Sequence, residues 1–237
     1  MKNRNIISLF IAFLIFFSLA LTACSSPYQT RSDDVSGFNR VSIETFGEVI
    51  IEQGDEESLT IEAPRDYLRY IKTEVENETL IIGTRRGFIG GPVHQTTFTI
   101  MVKNLEDISL SGAGAIKVFS LETNTLDINL TGAGSIEIDE LTAEQLEVNL
   151  ASAGAIIIAG TVEKQKINLT GVGSYEGGDL KSKDTEIGLS GAGSAVVWAE
   201  DALDVEITGI GSVSYFGNPH VYQNISGLGS INSKGTH

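Results

Sequence analysis

The chain has 237 residues, of which 26 are glycine and one is cysteine, and its formal net charge is −15. The phosphates of nucleic acids and anionic lipids repel so acidic a chain, because proteins bind phosphates through clustered lysine and arginine. The single cysteine excludes a disulfide framework.

The first 23 residues have the pattern of a secretory signal peptide. Lys2 and Arg4 precede an apolar run, residues 6–21, which ends in small residues. The stretch LTAC that follows resembles the bacterial lipoprotein box, in which the cysteine is lipidated and becomes the mature N-terminus. We therefore predict a lipid anchor at Cys24 and a location on the cell envelope, facing outside the cytoplasm, at the outer membrane or cell surface. The alternative is an uncleaved transmembrane anchor, because about 20 apolar residues span a bilayer.

The next part of the chain divides into a tether and a single domain. Residues 24–37 are polar and aperiodic, which predicts a lipidated N-terminus followed by a flexible tether. Residues 38–237 contain no second linker, so we expect one domain there.

The domain begins with irregularly spaced strands. The stretches VSIETFGEVIIEQ, SLTIEA, YIKTEV, TLIIGT and TTFTIMV each alternate between apolar and polar residues, which predicts the first coils and a cap. The run RRGFIGGPVH, residues 85–94, interrupts this pattern. It predicts an exposed loop, which serves either as a recognition loop or as a simple connection.

From residue 111 onward a pentapeptide of the form [Ser/Thr]-Gly-x-Gly-[Ser/Ala] recurs every 18–20 residues. Its copies begin at Ser111, Thr131, Thr170, Ser190, Thr208 and Ser226, and a degenerate copy begins at Ala151. A fixed period of this length is typical of a solenoid, whose units bury their apolar edges only against their neighbours.

The residues before each pentapeptide alternate with period two. The positions one and three residues before the motif are apolar in nearly every copy, as at Leu130 and Ile128, whereas Asn129 between them is polar. This alternation is typical of β-strands with one buried face. The sequence therefore predicts an all-β solenoid with coils of about 18–20 residues.

The motif glycines are predicted to form the corners between strands. Glycine adopts a positive φ freely and has no Cβ to collide with the next coil, which lies about 4.8 Å away. These structural glycines are Gly112, Gly114, Gly132, Gly134, Gly154, Gly171, Gly173, Gly191, Gly193, Gly209, Gly211, Gly227 and Gly229. A dinucleotide-binding fingerprint is excluded, since its third glycine, its helix and its downstream acid are missing.

The order of these segments resembles a known family. The stretches FNRVSIETFGEVIIEQG and YIKTEVENETLIIGT, followed by the repeated LSGAGAIKV, LTGAGSIEI and LSGAGSAVV, are similar to the putative auto-transporter adhesins with a head GIN domain. The resemblance covers residues 38–231. It implies a bacterial envelope protein with a right-handed parallel β-helix and adhesion as its function, and it brings no catalytic motif.

Outward positions of a solenoid form ladders, and one ladder here is acidic. Four residues before the motifs stand Asp107, Asp127, Glu147, Glu186 and Asp204, with Lys166 interposed. Such a column either binds Ca²⁺ through its carboxylate oxygens and bridges to a polysaccharide, or is a solvated face that keeps the protein soluble. We expect no other metal or cofactor, because the three histidines lack metal-ligand spacing.

Two further ladders are expected. Asn129, Asn149 and Asn168 stand two residues before their motifs, and their amides either hydrogen-bond along the solenoid axis or present polar groups to sugars. The middle residues of the motifs, such as Ala133, either face outward as a flat stripe or pack inside.

The sequence predicts a non-catalytic adhesion or polysaccharide-binding module. Glycoside hydrolysis needs two carboxylates at a fixed separation in a cleft, whereas these acids are spread along faces, so a polysaccharide-degrading enzyme is the weaker alternative. The other alternative is a structural homo-oligomer, in which the last coil near Ile225 and Ile231 pairs with another subunit. Expected partners are the membrane, through the lipid, and a polysaccharide or surface protein, but not nucleic acid.

Overall fold

The protein is a β-solenoid. The computed structural model describes residues 27–85 and 96–237. Strands make up 74% of the structure, and most of them stack as parallel coils with about six turns in total, so the predicted parallel β-helix is confirmed. The predicted signal peptide, Cys24 and most of the predicted loop at residues 85–94 lie outside the described residues.

The described residues form the following strands and one short helix. The strands are β1 Tyr28–Asp33, β2 Arg40–Ile43, β3 Phe46–Gln53, β4 Ser58–Pro64, β5 Ile71–Glu76, β6 Thr79–Thr84, β7 Thr97–Val102, β8 Asp107–Leu110, β9 Ala113–Glu122, β10 Thr125–Leu130, β11 Ala133–Leu150, β12 Gly154–Leu169, β13 Ser174–Leu189, β14 Ala192–Ile207, β15 Ile210–Phe216, β16 His220–Ile225 and β17 Leu228–Ser233. The helix, α1, is Arg65–Leu68. No helix in the described ranges is long and apolar enough to cross a membrane.

The coils have two long faces. Face A consists of β2, β8, β10, the second halves of β11 to β14, and β16. Face B consists of β3, β9, the first halves of β11 to β14, β15 and β17. Neighbouring strands are parallel and in register, so Leu130 lies beside both Leu110 and Leu150. Each repeated position of the sequence therefore becomes a ladder along the solenoid axis.

The core lies between faces A and B. Ile108, Ile128 and Val148 form one inward ladder on face A, while Ile116 and Ile136 belong to one on face B, and all five are fully buried. Burying each such side chain contributes about 1.5–3 kcal/mol to folding. The period-two alternation of the sequence thus holds the stack together.

The motif glycines are required because successive coils approach closely. A Cβ added to Gly132 would overlap the carbonyl oxygen of Gly112, and a Cβ added to Gly134 would overlap that of Gly114. The described glycines with a positive φ lie elsewhere, at Gly37, Gly47, Gly160, Gly217 and Gly235. The expectation of a positive φ at the motif corners is therefore wrong, and the missing Cβ is what these corners use.

The N-terminal end of the solenoid carries a cap built differently from the coils. Strand β5 is antiparallel to β6 beside face A, and β4 is antiparallel to both β7 and β1 beside face B. Helix α1 adds Tyr67 and Leu68 to the core, and the Tyr67 ring stacks on Phe46 with 5.2 Å between ring centroids.

The C-terminal end shows no such cap within the described residues. Strands β16 and β17 pair with β14 and β15 on one side only. Val221 and Ile225 occupy inward ladders but are 36% and 40% exposed, and Leu228 beside them is 76% exposed. An open sheet edge of this kind is a template for pairing with another chain.

Candidate functional site

The predicted acidic column runs along face A. Its order is Arg40, Asp107, Asp127, Glu147, Lys166, Glu186 and Asp204. The structure brings the three acids of adjacent coils, Asp107 to Glu147, into neighbouring positions. Lys166 separates them from the rest, and its Nζ lies 3.0 Å from Oε1 of Glu186.

The charges of these acids act on one another. Burial, and then the charges of Glu147 and Asp107, raise the pKa of Asp127 above its usual value, while the charge of Arg40 opposes this shift. Across residues 27–85 and 96–237, no group of three or more His, Cys, Asp or Glu side chains is arranged to hold a metal ion. Binding of Ca²⁺ to the column stays a prediction.

The predicted asparagine column forms a chain of hydrogen bonds along the solenoid axis. Nδ2 of Asn168 donates to Oδ1 of Asn149 at 2.9 Å, and Nδ2 of Asn149 donates to Oδ1 of Asn129 at 3.2 Å. Nδ2 of Asn129 then donates to Oδ2 of Asp107 at 3.0 Å. Gly188 occupies the next position of the ladder, so no amide continues it there. Because these amides are bound to one another, their arrangement favours the stabilising role over sugar recognition.

The middle residues of the motifs face outward. Ala113, Ala133, Ala153, Val172, Ala192, Ile210 and Leu228 are all exposed. The stripe begins with alanine and ends with larger side chains, so its apolar surface increases toward the C-terminal coils.

A broad polar groove, not identified from the sequence, lies where face B turns back toward face A. We call it the side groove, and its volume is about 1300 Å³. Its hydroxyl and amide side chains are Gln53, Asn104, Ser120, Thr123, Asn124, Thr142, Gln145 and Thr161. Its charged side chains are Asp55, Lys103, Glu122, Glu144, Glu163 and Lys164. The groove therefore offers many hydrogen-bond donors and acceptors over several consecutive coils.

Internal hydrogen bonds hold one end of the side groove. Nε2 of Gln53 donates to the carbonyl oxygens of Lys103 at 3.1 Å and Glu122 at 2.9 Å, and its Oε1 accepts from the backbone N–H of Glu122 at 2.9 Å. Oγ1 of Thr123 donates to Oδ1 of Asn104 at 3.2 Å. These contacts order the polar groups before any ligand arrives.

The side groove escaped sequence analysis because it lies at the corner without a glycine motif. The pairing register shifts there, between Ile138 and Leu141 in β11 and between Ile157 and Gly160 in β12. A weak signal exists, since threonine recurs every 19 residues at Thr123, Thr142 and Thr161.

A smaller concavity on the C-terminal coils contains an aromatic cluster. The ring of His237 stacks on Trp198 with 4.4 Å between centroids, and it meets Phe216 edge-on at 4.9 Å. Nε2 of His237 lies 3.1 Å from Oδ1 of Asp179. From the sequence, His237 counted only as one of three histidines without metal-ligand spacing, and the other three residues were not singled out.

A known family matches most of this chain. The profile of the family described as "Putative auto-transporter adhesin, head GIN domain" matches residues 37–219. That range contains the cap except for β1, most of the repeats and the whole side groove. The comparison with curated proteins returns no match.

Solved structures show the same fold. A putative adhesin from Bacteroides fragilis is 27% identical with a TM-score of 0.86, over 88% of this chain and 98% of that one. A putative lipid binding protein from Parabacteroides distasonis is 24% identical with a TM-score of 0.69, over 87% of this chain and 96% of that one. A putative adhesin from the same species is 19% identical with a TM-score of 0.66, over 88% and 97% of the two chains.

Proposed function

Because this chain belongs to the putative auto-transporter adhesin family with a head GIN domain, we propose that it is a non-catalytic adhesion module that binds a polysaccharide in the side groove. The family supports a role at the cell surface or envelope. The choice of ligand rests on the side groove, a concavity of about 1300 Å³ whose lining includes eight hydroxyl and amide side chains.

The chemistry of the side groove suits a sugar chain. Hydroxyl and amide groups such as those of Thr142, Asn124 and Gln145 both donate and accept hydrogen bonds, as sugar hydroxyls do. The groove crosses several coils, so an extended oligosaccharide would contact equivalent positions one after another. A polymer bound in this way gains affinity from many weak contacts.

The charge of the side groove selects among polysaccharides. Four of its lining residues are acidic, Asp55, Glu122, Glu144 and Glu163, and two are lysines, Lys103 and Lys164. Together with the formal net charge of −15, this excess disfavours polymers of uronic acids or phosphates, because like charges repel. We therefore expect neutral polysaccharides to bind best.

A glycan array tests this function. Protein comprising residues 24–237 would be applied to neutral, acidic and amino polysaccharides, once with Ca²⁺ and once with a chelator. We expect selective binding to neutral polymers, and we expect Thr142→Trp, which fills the groove, to weaken it strongly. Thr131→Trp is the matched control, because Thr131 is an exposed threonine of the neighbouring coil corner outside the groove. Absence of binding, or equal binding by both variants, would overturn the proposal. If the chelator alone removes binding, Ca²⁺ bound at the acidic column also takes part.

Attachment to the envelope belongs to the same proposal. Lipidation of Cys24 would hold the module at the membrane through the few residues that precede β1, which begins at Tyr28. Cys24→Ser should release the protein into the soluble fraction of the cells that produce it. Retention of this variant in membranes would favour the uncleaved anchor instead.

Self-association is a second candidate function, favoured by the open C-terminal edge. Strands β16 and β17 have unpaired outer edges within the described residues, and Ile225 and Leu228 expose apolar surface there. Sedimentation at micromolar concentration distinguishes the two candidates. A monomer would support the adhesion module acting alone, whereas a dimer dissociated by Leu228→Asp would support assembly through this edge.

A further inference from the structure

The aromatic cluster on the C-terminal coils has the form of an occupied binding site. Trp198, the sole tryptophan of the chain, lies on β14, and Phe216 ends β15. The ring of His237 lies parallel to the indole, with an interplanar angle of 4° and 4.4 Å between centroids. Phe216 meets the edge of the same ring at 66° and 4.9 Å. A flat ring is thus held on two sides by aromatic side chains.

The polar edge of that ring is also bound. Nε2 of His237 lies 3.1 Å from Oδ1 of Asp179, whose side chain is 76% exposed. The His237 side chain therefore combines an apolar face on an indole with a polar atom on a carboxylate. This is the combination by which a planar or near-planar polar ring is recognised.

A cavity of about 420 Å³ continues from this cluster. Ile157 and Val196 supply apolar surface, while Glu137, Glu176 and Asp179 supply carboxylates. The volume falls within the range of small-molecule sites, about 300–1,000 Å³. The cavity therefore has room for a ligand larger than the imidazole that enters it.

Gly178 keeps the aromatic wall of this cavity in place. A Cβ added there would lie 3.2 Å from Cγ1 of Val196 and 3.3 Å from Cε2 of Phe216. Both distances are tighter than ordinary contact, so a side chain at this position would displace the Phe216 ring. The glycine is explained by the packing of the pocket, since no motif requires it.

We propose that Trp198, Phe216 and Asp179 form a binding subsite for a neutral or amino pyranose ring, which His237 occupies in the free protein and which the sugar takes by displacing it. The apolar face of the sugar stacks on Trp198, and its hydroxyl or ammonium groups donate to Asp179 and Glu176. Glu137, Glu176 and Asp179 disfavour uronic acids, because like charges repel. Two cations also border the rings, since Nζ of Lys181 lies 5.7 Å from the centroid of Trp198 and Nζ of Lys234 lies 5.5 Å from that of Phe216. The subsite rests on the proposed polysaccharide function and extends it to a second site away from the side groove.

Occupancy by His237 predicts how affinity responds to its removal. When a side chain of the protein fills a binding site, an external ligand binds only to the fraction of molecules in which the site is empty. The apparent affinity for that ligand falls in proportion to this fraction. His237→Ala should therefore tighten sugar binding, whereas substitutions of a merely structural residue would weaken or not change it.

Fluorescence of Trp198 measures the subsite directly, since no other tryptophan contributes. Residues 24–237, as wild type and as His237→Ala, would be titrated with cellohexaose, a glucosamine hexasaccharide and a galacturonic acid hexasaccharide. We expect cellohexaose or the glucosamine hexasaccharide to change the emission, and we expect the galacturonic acid hexasaccharide to have no effect. The affinity of the sugar that binds should be about threefold or more higher for His237→Ala than for wild type. Calorimetry with Trp198→Ala should show the loss of binding at the subsite, whereas binding in the side groove should remain.

The outcomes separate the two proposals. Unchanged emission with all three sugars in both proteins, or equal affinities of wild type and His237→Ala, would overturn the subsite. If the array still shows binding that Thr142→Trp strongly weakens, the side-groove function stands without the subsite. Folding of His237→Ala is not in question, because His237 is exposed and outside every strand.

Discussion

The phenol Oη of Tyr175 donates a hydrogen bond of 2.8 Å to Oε1 of Gln165 inside the core of the solenoid. Nε2 of Gln165 in turn donates to Oγ of Ser182 at 2.9 Å and to Oγ1 of Thr185 at 3.2 Å. Oγ of Ser182 also donates to the backbone carbonyl of Trp198 at 2.7 Å. A buried polar network thus links the inward ladder of face A to the strand that carries Trp198.

Tyr175→Phe should destabilise the protein. The variant leaves Oε1 of buried Gln165 without its donor, and an unsatisfied buried group costs about 1–3 kcal/mol. Urea unfolding followed by circular dichroism measures the difference. Tyr222→Phe is the control, since Tyr222 is 66% exposed and should tolerate the change. Equal effects of the two substitutions would mean that the network contributes nothing.

Gly134→Ala should be strongly destabilising. Its Cβ would overlap the carbonyl oxygen of Gly114, and backbone on both sides leaves little room to adjust, so we expect a cost of about 1–3 kcal/mol or more. Gly188→Ala serves as the control, because the nearest atom to its Cβ would be Oδ1 of Asn168 at 3.4 Å. There, alanine should stabilise the strand by about 0.5–1 kcal/mol. Thermal melts that rank the two variants the other way would contradict the steric explanation.

Asn149→Ala should weaken the asparagine ladder at its centre. The substitution removes the hydrogen bonds to Asn129 and from Asn168, at 3.2 and 2.9 Å. Because the remaining amides are half-buried, we expect a loss of about 1–3 kcal/mol in the free energy of unfolding. Asn224→Ala in the same column should change it by less than about 0.5 kcal/mol, since Asn224 is exposed in the last coil. A loss no larger than that of the control would assign the amides to another role.

Asp127→Asn should stabilise the protein at neutral pH but not in acid. Burial and the charges of Glu147 and Asp107 raise the pKa of Asp127 above 3.8, its usual value. The folded protein therefore holds this proton to a higher pH than the unfolded chain, so ionisation of Asp127 lowers stability as the pH rises. Asparagine removes this repulsion, which is worth about 0.2–1 kcal/mol for a pair of like charges on adjacent strands.

Melting temperatures at pH 7 and near pH 3 test the charge effect. The gain from Asp127→Asn should be present at pH 7, should decrease in high salt because salt screens exposed charges, and should vanish near pH 3, where Asp127 is protonated in both states. Asp55→Asn controls for net charge alone, since it removes the same charge at an exposed position outside the acidic column. A gain that persists in acid would contradict an electrostatic origin.

Much of the architecture could be predicted because a solenoid repeats one local rule. The alternation around Leu130 identified the strands, and the recurrence of the glycine motif identified the coil length. In a parallel in-register stack, residues at equal positions of the repeat must become neighbours, so the ladders of Asp127 and Asn149 followed from counting along the chain.

The features that escaped prediction do not follow the repeat. The side groove forms where the pairing register shifts, between Ile138 and Leu141, so the recurring threonines are its only repeated signal in the sequence. Trp198 and His237 are in contact although they lie 39 positions apart in the chain, which is twice the repeat length. This contact depends on the course of the backbone after β17. Gln165 interrupts an apolar ladder, and only the positions of Tyr175 and Ser182 explain why a polar side chain is stable there.

By itself, the sequence determined the β-solenoid, its coil length and which residues share a ladder, because these depend on short-range alternation and a fixed period. Only the tertiary structure decided that the motif glycines serve close approach rather than a positive φ, that Ala133 faces outward, and that the side groove and the aromatic cluster around Trp198 exist. The physical reason is that a steric gap of a few ångströms or a cavity wall depends on how several coils pack together, and alternation within one strand carries no information about that distance.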